Sequence, residues 1–278
     1  MKIGLNLLLY TSRFTKKHIK LIDKASKMGF DGVEVPIYDP KVVDVAVIRR
    51  ALADTGMSCT VCTGLMKGSF VSAAARERQA ALDFMRQVLE ACKGIGAECL
   101  GGPIYSPIGH LVGRGRNAAE WKRAVVCLRK VADMAEELDV KVAIEPINRF
   151  ETYFCNICAD AVKLCREVNS KKIGVLYDTF HANIEEKDPA AALRKIGKGR
   201  LFHIHACEND RGIPGSGHVP WNAIMSTLKD MKYDGWLTIE SFVPAIKEIA
   251  AAAAIWRSLA KDSDDLAKKG LKFLRQYA

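Results

Sequence analysis

Four side chains that favour metal ions close four successive apolar runs: Glu145, Asp178, His205 and Glu240. The runs read Val140-Lys-Val-Ala-Ile-Glu145, Ile173-Gly-Val-Leu-Tyr-Asp178, Leu201-Phe-His-Ile-His205 and Trp236-Leu-Thr-Ile-Glu240. As neighbouring parallel strands they bring all four side chains to one rim. Ionised carboxylates crowded there repel one another unless a cation lies between them. Two glutamates, an aspartate and an imidazole form an oxygen-rich donor set that suits Mn²⁺, and also Co²⁺ or Mg²⁺, better than Zn²⁺. One strand-end aspartate is often only a helix cap, and Asp178 is placed to be one. Four such residues on four successive strands point instead to a shared mononuclear metal site.

Other groups belong near that rim. His203 and His205 are two apart on one strand and face the same way, with His205 nearer the rim as the ligand and His203 in a lower, hydrogen-bonded layer. His181 follows Asp178 closely enough for a loop to carry it over the metal. His218 belongs to Gly212-Ile-Pro-Gly-Ser-Gly-His-Val-Pro-Trp221, a loop that either cradles a phosphate or makes a tight turn in the pocket wall. His18 reads as a surface residue, and His110 has no assigned place. Glu145 and Glu240 flank the set, on strands three steps apart in an eight-strand ring, roughly 135° around its axis. A cation chelated by two adjacent substrate oxygens acidifies the carbon beside a carbonyl and stabilises an enediolate. Two opposed carboxylates then invert that carbon; one base alone moves a proton between neighbouring carbons. The opposed placement leans towards inversion.

The elements that must hold these residues repeat as amphipathic helix, short loop, compact strand, as in Ala25-Ser-Lys-Met-Gly-Phe-Asp-Gly-Val-Glu-Val35 and Met231-Lys-Tyr-Asp-Gly-Trp-Leu-Thr-Ile239. A glycine just past a helix end supplies the left-handed cap. Strands are expected near 2–9, 32–36, 58–63, 98–102, 140–145, 173–178, 201–207 and 236–241. Helices are expected near 15–28, 41–55, 72–94, 117–138, 158–169, 188–197, 221–231 and 243–259. Eight such units predict an α/β fold, a single (β/α)8 TIM barrel domain over 1–278, with an extra C-terminal helix from Ser263 to Ala278. No Gly-x-Gly-x-x-Gly follows the first strand, so a dinucleotide fold has no support.

Composition is that of an ordinary soluble globular chain, with 49% hydrophobic and 27% charged residues. No stretch reaches the roughly 18 apolar residues that suggest a membrane span. The apolar start runs into Arg13, Lys16 and Lys17 without a cleavage site, so it reads as a first strand and the cytoplasm as the default address. The +10 formal charge is spread along helices without interleaved aromatics, which argues against nucleic acid. Nine cysteines, an odd number, fit reduced buried thiols. Cys59 and Cys62 point to opposite faces of one strand and make a poor zinc pair.

Glu145-Pro-Ile-Asn-Arg-Phe-Glu151, Tyr177-Asp-Thr-Phe-His-Ala-Asn-Ile-Glu-Glu-Lys-Asp188, His205-Ala-Cys-Glu-Asn-Asp-Arg-Gly212 and Trp236-Leu-Thr-Ile-Glu240 resemble the ketose 3-epimerase family of xylose-isomerase-like barrels. The opening ten residues and Gly29-Phe-Asp-Gly-Val-Glu34 are similar too. The resemblance implies one divalent metal on Glu145, Asp178, His205 and Glu240, with Glu145 and Glu240 also the two acid/base groups. It implies substrate contacts from Glu151, His181 and Arg211, a free ketose as substrate, and a homodimer or homotetramer. Departures fall in the loop over 102–113, with its Pro107 and His110, and at Tyr10, where many relatives carry Trp. An aldose–ketose isomerase acting at C1–C2 is the chief alternative. An endonuclease IV-like metal phosphodiesterase ranks lower, because the first four strands supply no histidine. A non-catalytic sugar-binding barrel does not need two opposed glutamates.

Overall fold

A computed structural model describes residues 1–277. Eight strands, β1 (Lys2–Asn6), β2 (Gly32–Pro36), β3 (Ser58–Cys62), β4 (Cys99–Gly102), β5 (Lys141–Ile144), β6 (Ile173–Asp178), β7 (Leu201–Ala206) and β8 (Trp236–Ile239), pair in chain order. All pairs are parallel, and β8 returns to β1, closing a TIM barrel. The helices between them are α1 (Lys20–Met28), α2 (Val45–Thr55), α3 (Ala75–Ile95), α4 (Ala118–Leu138), α5 (Cys158–Val168), α6 (Thr179–Glu185), α7 (Pro189–Ile196), α8 (Trp221–Asp230) and α9 (Lys247–Ala252). A final helix, α10 (Ser263–Leu274), packs against β1 and β8. Residue 278 of the expected tail helix lies outside the described residues.

Strand alternation explains the two halves of the core. Gly4 and Asn6 face the barrel interior, so Ile3 and Leu5 face the helices and join the main apolar layer there. A smaller cluster, Cys99, Ala143 and Leu176, plugs the interior beneath the rim. Helix ends follow the glycine rule at Gly29, Gly56 and Gly96, all left-handed. Asp139 and Asn169 take the same conformation after α4 and α5, so the cap was satisfied there without glycine.

Three expectations need correction. The region 15–28 opens with a 3-10 turn, Lys16–His18, before α1. The region 243–259 is not one long helix, because only Lys247–Ala252 is helical and Ala254 takes a positive φ of 55°. Helix α6 was not anticipated; Asp178 caps it, accepting from the Phe180 N–H at 2.6 Å. All nine cysteines are free and buried. Among the described residues, no helix is long and apolar enough to cross a membrane.

Candidate metal centre and substrate pocket

The strand ends bring Glu145, Asp178, His205 and Glu240 together, each offering a ligand atom within 4.8 Å of the others. Asp178 and His205 are register partners on β6 and β7. Glu145 and Glu240 follow β5 and β8 directly, so they approach from either side of that pair. His205 Nδ1 lies 3.3 Å from Glu240 Oε2, 3.7 Å from Glu145 Oε1 and 4.0 Å from Asp178 Oδ2. Adjacent ligands of a six-coordinate ion with bonds of ~2.1 Å stand about 3 Å apart. His205 Nδ1 and Glu145 Oε1 are buried with no hydrogen-bond partner. Two orphaned lone-pair atoms aimed at one point, among carboxylates, fit a divalent cation.

Electrostatics without a cation show the strain of this grouping. Burial, the largest cause, pushes the Glu145 carboxyl up to about 8, with Glu240 and Asp178 adding to the rise and His205 opposing it. Asp178 is also raised by burial, against the pull of Arg211. Burial opposes ionisation of Glu240 as well, yet the charge of His205, its hydrogen bond and Arg211 hold that carboxyl low. Burial would lower His205, but Glu240 and Glu34 outweigh it and raise it well above the ordinary imidazole range. A bound cation takes over the compensating role of that imidazolium.

Arg211 Nη1 donates to Asp178 Oδ2 at 2.8 Å and to Glu240 Oε2 at 3.1 Å. Its guanidinium is clamped between the rings of Phe180 and Phe242, 4.1 and 5.1 Å from their centroids. The backbone of Arg211 has φ 66°, a conformation that costs on the order of 1–3 kcal/mol in a non-glycine residue. His181 Nδ1 accepts from the Asn148 N–H at 3.1 Å. Nε2 lies 3.0 Å from Arg211 Nη2 and 3.7 Å from Glu145 Oε1. Burial first, then Arg211 and His205, keeps His181 neutral, well below its ordinary pKa. Asn148 also donates to Glu151 Oε1 at 2.7 Å, so one side chain sets both Glu151 and His181.

Glu145, Glu151, His181, Arg211 and Glu240 line a cavity of about 110 Å³, with Leu8, Tyr38, Ile108 and Phe242 on its apolar side. Asp178 and His205 lie beneath it, both buried. A larger hollow of about 920 Å³, lined by Arg13, Lys16, Lys17 and Lys41, is open surface and contains none of these carboxylates. The smaller cavity is where the chemical groups converge. Just before the lining residue Pro103, Gly102 takes φ 140°, and a Cβ there would stand 1.8 Å from the Thr63 carbonyl oxygen, so only glycine fits.

The glycine-rich loop after β7 is a tight turn. Its amides are already occupied by the chain's own anion: Glu208 accepts from Gly215 N, Val219 N and Trp221 Nε1 at 2.8–2.9 Å. His218 is exposed at its tip. His203 is fully buried, 2.8 Å from Glu34 Oε1, but neither ring nitrogen has an aligned hydrogen bond. The expectation of a hydrogen-bonded His203 is therefore corrected: the ring abuts Glu34 off-axis. Sequence reading missed Glu34, Asn6, Thr60 and Asn148. The available signal was a polar residue interrupting an apolar strand, at Glu34 within Gly32-Val-Glu-Val-Pro36.

A closed eight-strand barrel with acidic residues at its C-terminal rim defines a class, and residues 22–277 match the family described as xylose isomerase-like TIM barrel. A probable ketose 3-epimerase of Synechocystis sp. is 34% identical over 277 residues, 99% of this chain and 96% of that protein. The D-psicose 3-epimerase of Enterocloster bolteae is 32% identical, covering 99% of this chain and 95% of its own length. A D-allulose 3-epimerase from Methylomonas sp., solved in complex with D-allulose, superposes with a TM-score of 0.94 at 27% identity, covering 100% of this chain and 97% of that one. The chain belongs to the ketose 3-epimerase family.

Proposed function

We propose that this protein inverts C3 of a free ketose of the D-tagatose, D-psicose/D-fructose or L-ribulose type, using a divalent metal held by Glu145, Asp178, His205 and Glu240. The observation that carries this reading is the pair of buried glutamates on either side of the Asp178–His205 pair. When bound, the cation, Mn²⁺ by preference, polarises the substrate's C2 carbonyl and C3 hydroxyl. One glutamate then takes the C3 proton, and the C–H electrons move into a C2–C3 double bond and onto O2, giving a cis-enediolate. The other glutamate returns a proton to the opposite face. Arg211 is placed to donate towards O2 as negative charge grows there, with His181 beside it in the cavity wall, and Glu151 to accept from a hydroxyl.

An unphosphorylated substrate is favoured because Arg211, the sole Lys or Arg in the cavity lining, already serves Asp178 and Glu240. The names of the relatives support C3 as the reacting carbon. The test is to incubate the Mn²⁺-loaded protein with D-fructose, D-psicose, D-tagatose, L-ribulose, D-xylulose and their phosphates, and to chromatograph the products. C3 epimers of free ketoses are expected. An aldose as the only product assigns the chain to C1–C2 isomerisation and overturns the reading.

A further inference from the structure

The two nitrogens of His205 have different surroundings. Nδ1 faces Glu145, Asp178 and Glu240 and has no hydrogen-bond partner, while Nε2 stands 2.7 Å from Glu34 Oε2. Glu34 comes from β2, three strands around the ring from β7, and reaches across the barrel interior completely buried. An ionised carboxylate only accepts, so in the neutral ring that a metal ion requires, Nε2 carries the proton and Nδ1 presents its lone pair to the rim. We propose that Glu34 is a positioning residue for the metal centre, fixing His205 in the tautomer and orientation that offer Nδ1 to the ion. This rests on the reading that the four rim residues bind a divalent cation.

The support beneath Glu34 is rigid. Asn6, Glu34 and Thr60 are register partners on β1, β2 and β3, and so lie in one row. Asn6 Nδ2 donates to Glu34 Oε2 at 2.8 Å, and Thr60 Oγ1 donates to Glu34 Oε1 at 3.0 Å. The same Asn6 amide donates to Glu240 Oε1 at 3.1 Å. One network in the barrel floor thus orients two of the four proposed ligands. Space-filling alone gives no reason for a carboxylate here, since a buried charge costs more than an apolar side chain of similar size. Glu34, His203 and His205 also bring three donor atoms close together. Both Glu34 oxygens, however, already accept from Asn6 and Thr60, which argues for support of the rim site and against a second ion.

The test is a Mn²⁺ titration of the full-length protein, reading free ion by electron paramagnetic resonance. Glu34→Gln keeps the shape but leaves one acceptor oxygen for donors that need two. The expected result is one ion per chain in the wild type and a Kd weakened by about 10–100-fold in Glu34→Gln. Glu34→Asp, which keeps the charge, should fall between them. A folded Glu34→Gln protein with the wild-type Kd, or a wild type binding two ions per chain, overturns the proposal. Nitrogen-15 spectra of histidine-labelled, Mg²⁺-loaded wild type decide the matter independently if the variant fails to fold: a proton on Nε2 of His205 supports it, and a proton on Nδ1 overturns it. A wild type that binds no divalent ion sinks the metal reading itself.

Discussion

Replacing Glu145 or Glu240 by glutamine preserves side-chain volume and an oxygen for the cation, but removes the capacity to take a proton together with one negative charge at the metal site. If the two carboxylates serve opposite faces of C3, each variant retains one working face. Epimerisation needs both, and should fall in each variant by roughly 10²–10⁴, the worth of a positioned general base. That corresponds to about 3–5.5 kcal/mol in the barrier. Solvent cannot easily substitute for the lost base, because the two glutamates are only 5% and 8% exposed. Exchange of the C3 hydrogen needs one face alone. In D₂O, Glu145→Gln should therefore exchange the C3 hydrogen of one epimer of a ketose pair, and Glu240→Gln that of the other, each without forming its epimer. Proton NMR of the recovered sugar reads the exchange, and the bound-metal content of each variant checks that the centre is intact. Near-wild-type epimerisation in either variant refutes the two-base argument. So does a single variant that exchanges both epimers while the other exchanges neither, since that assigns all proton transfer to one carboxylate.

Metal affinity should rise with pH. The Glu145 carboxyl is held at about 8 and His205 above its ordinary range, so both carry protons that a cation must displace. Low pH thus favours the metal-free form, and the apparent Mn²⁺ affinity should gain about tenfold per pH unit for each proton released, with the Glu145 share levelling off above about 8. Calorimetry in buffers of different ionisation enthalpy checks this, and no proton release between about pH 6 and 8 counts against it. Glu208→Ala should destabilise the fold, because the Val219 N–H and the Trp221 indole N–H are left buried without acceptors. At about 1–3 kcal/mol per orphaned donor, the two should cost at least ~2 kcal/mol. Tm should then fall by at least roughly 4–8 °C for a chain of this size; a drop below about 3 °C contradicts the assignment of that carboxylate as the loop's anchor.

The barrel was legible because its signals are local. Most strands show as short apolar runs, and left-handed caps such as Gly29 and Gly96 mark where helices stop. The regions that escaped are those where local preference loses to the demands of the rim. Ala250 to Ala254 are strong helix formers, yet Ala252 and Ala253 line the cavity, and the chain turns at Ala254 to bury Ile255. Helix α6 is only seven residues long, too short for a clear 3.6-residue period, and its first turn carries His181 into the cavity.

The rim residues were legible for a related reason: a polar side chain ending an apolar run is visible without knowing what it touches. Their supports were not. Glu34 is separated from His205 by 171 positions and meets it only because closure of the sheet puts β2 and β7 across one interior. The first four strands hold no histidine, but the second nitrogen of a metal-binding histidine needs an acceptor rather than another ligand. Glu34 supplies one. The same logic decides the loop after β7. Its glycines suggested an anion site, which the structure fills with Glu208, three residues past His205. In both places a buried carboxylate is explained only by the donors that converge on it, and those donors are assembled by the tertiary fold.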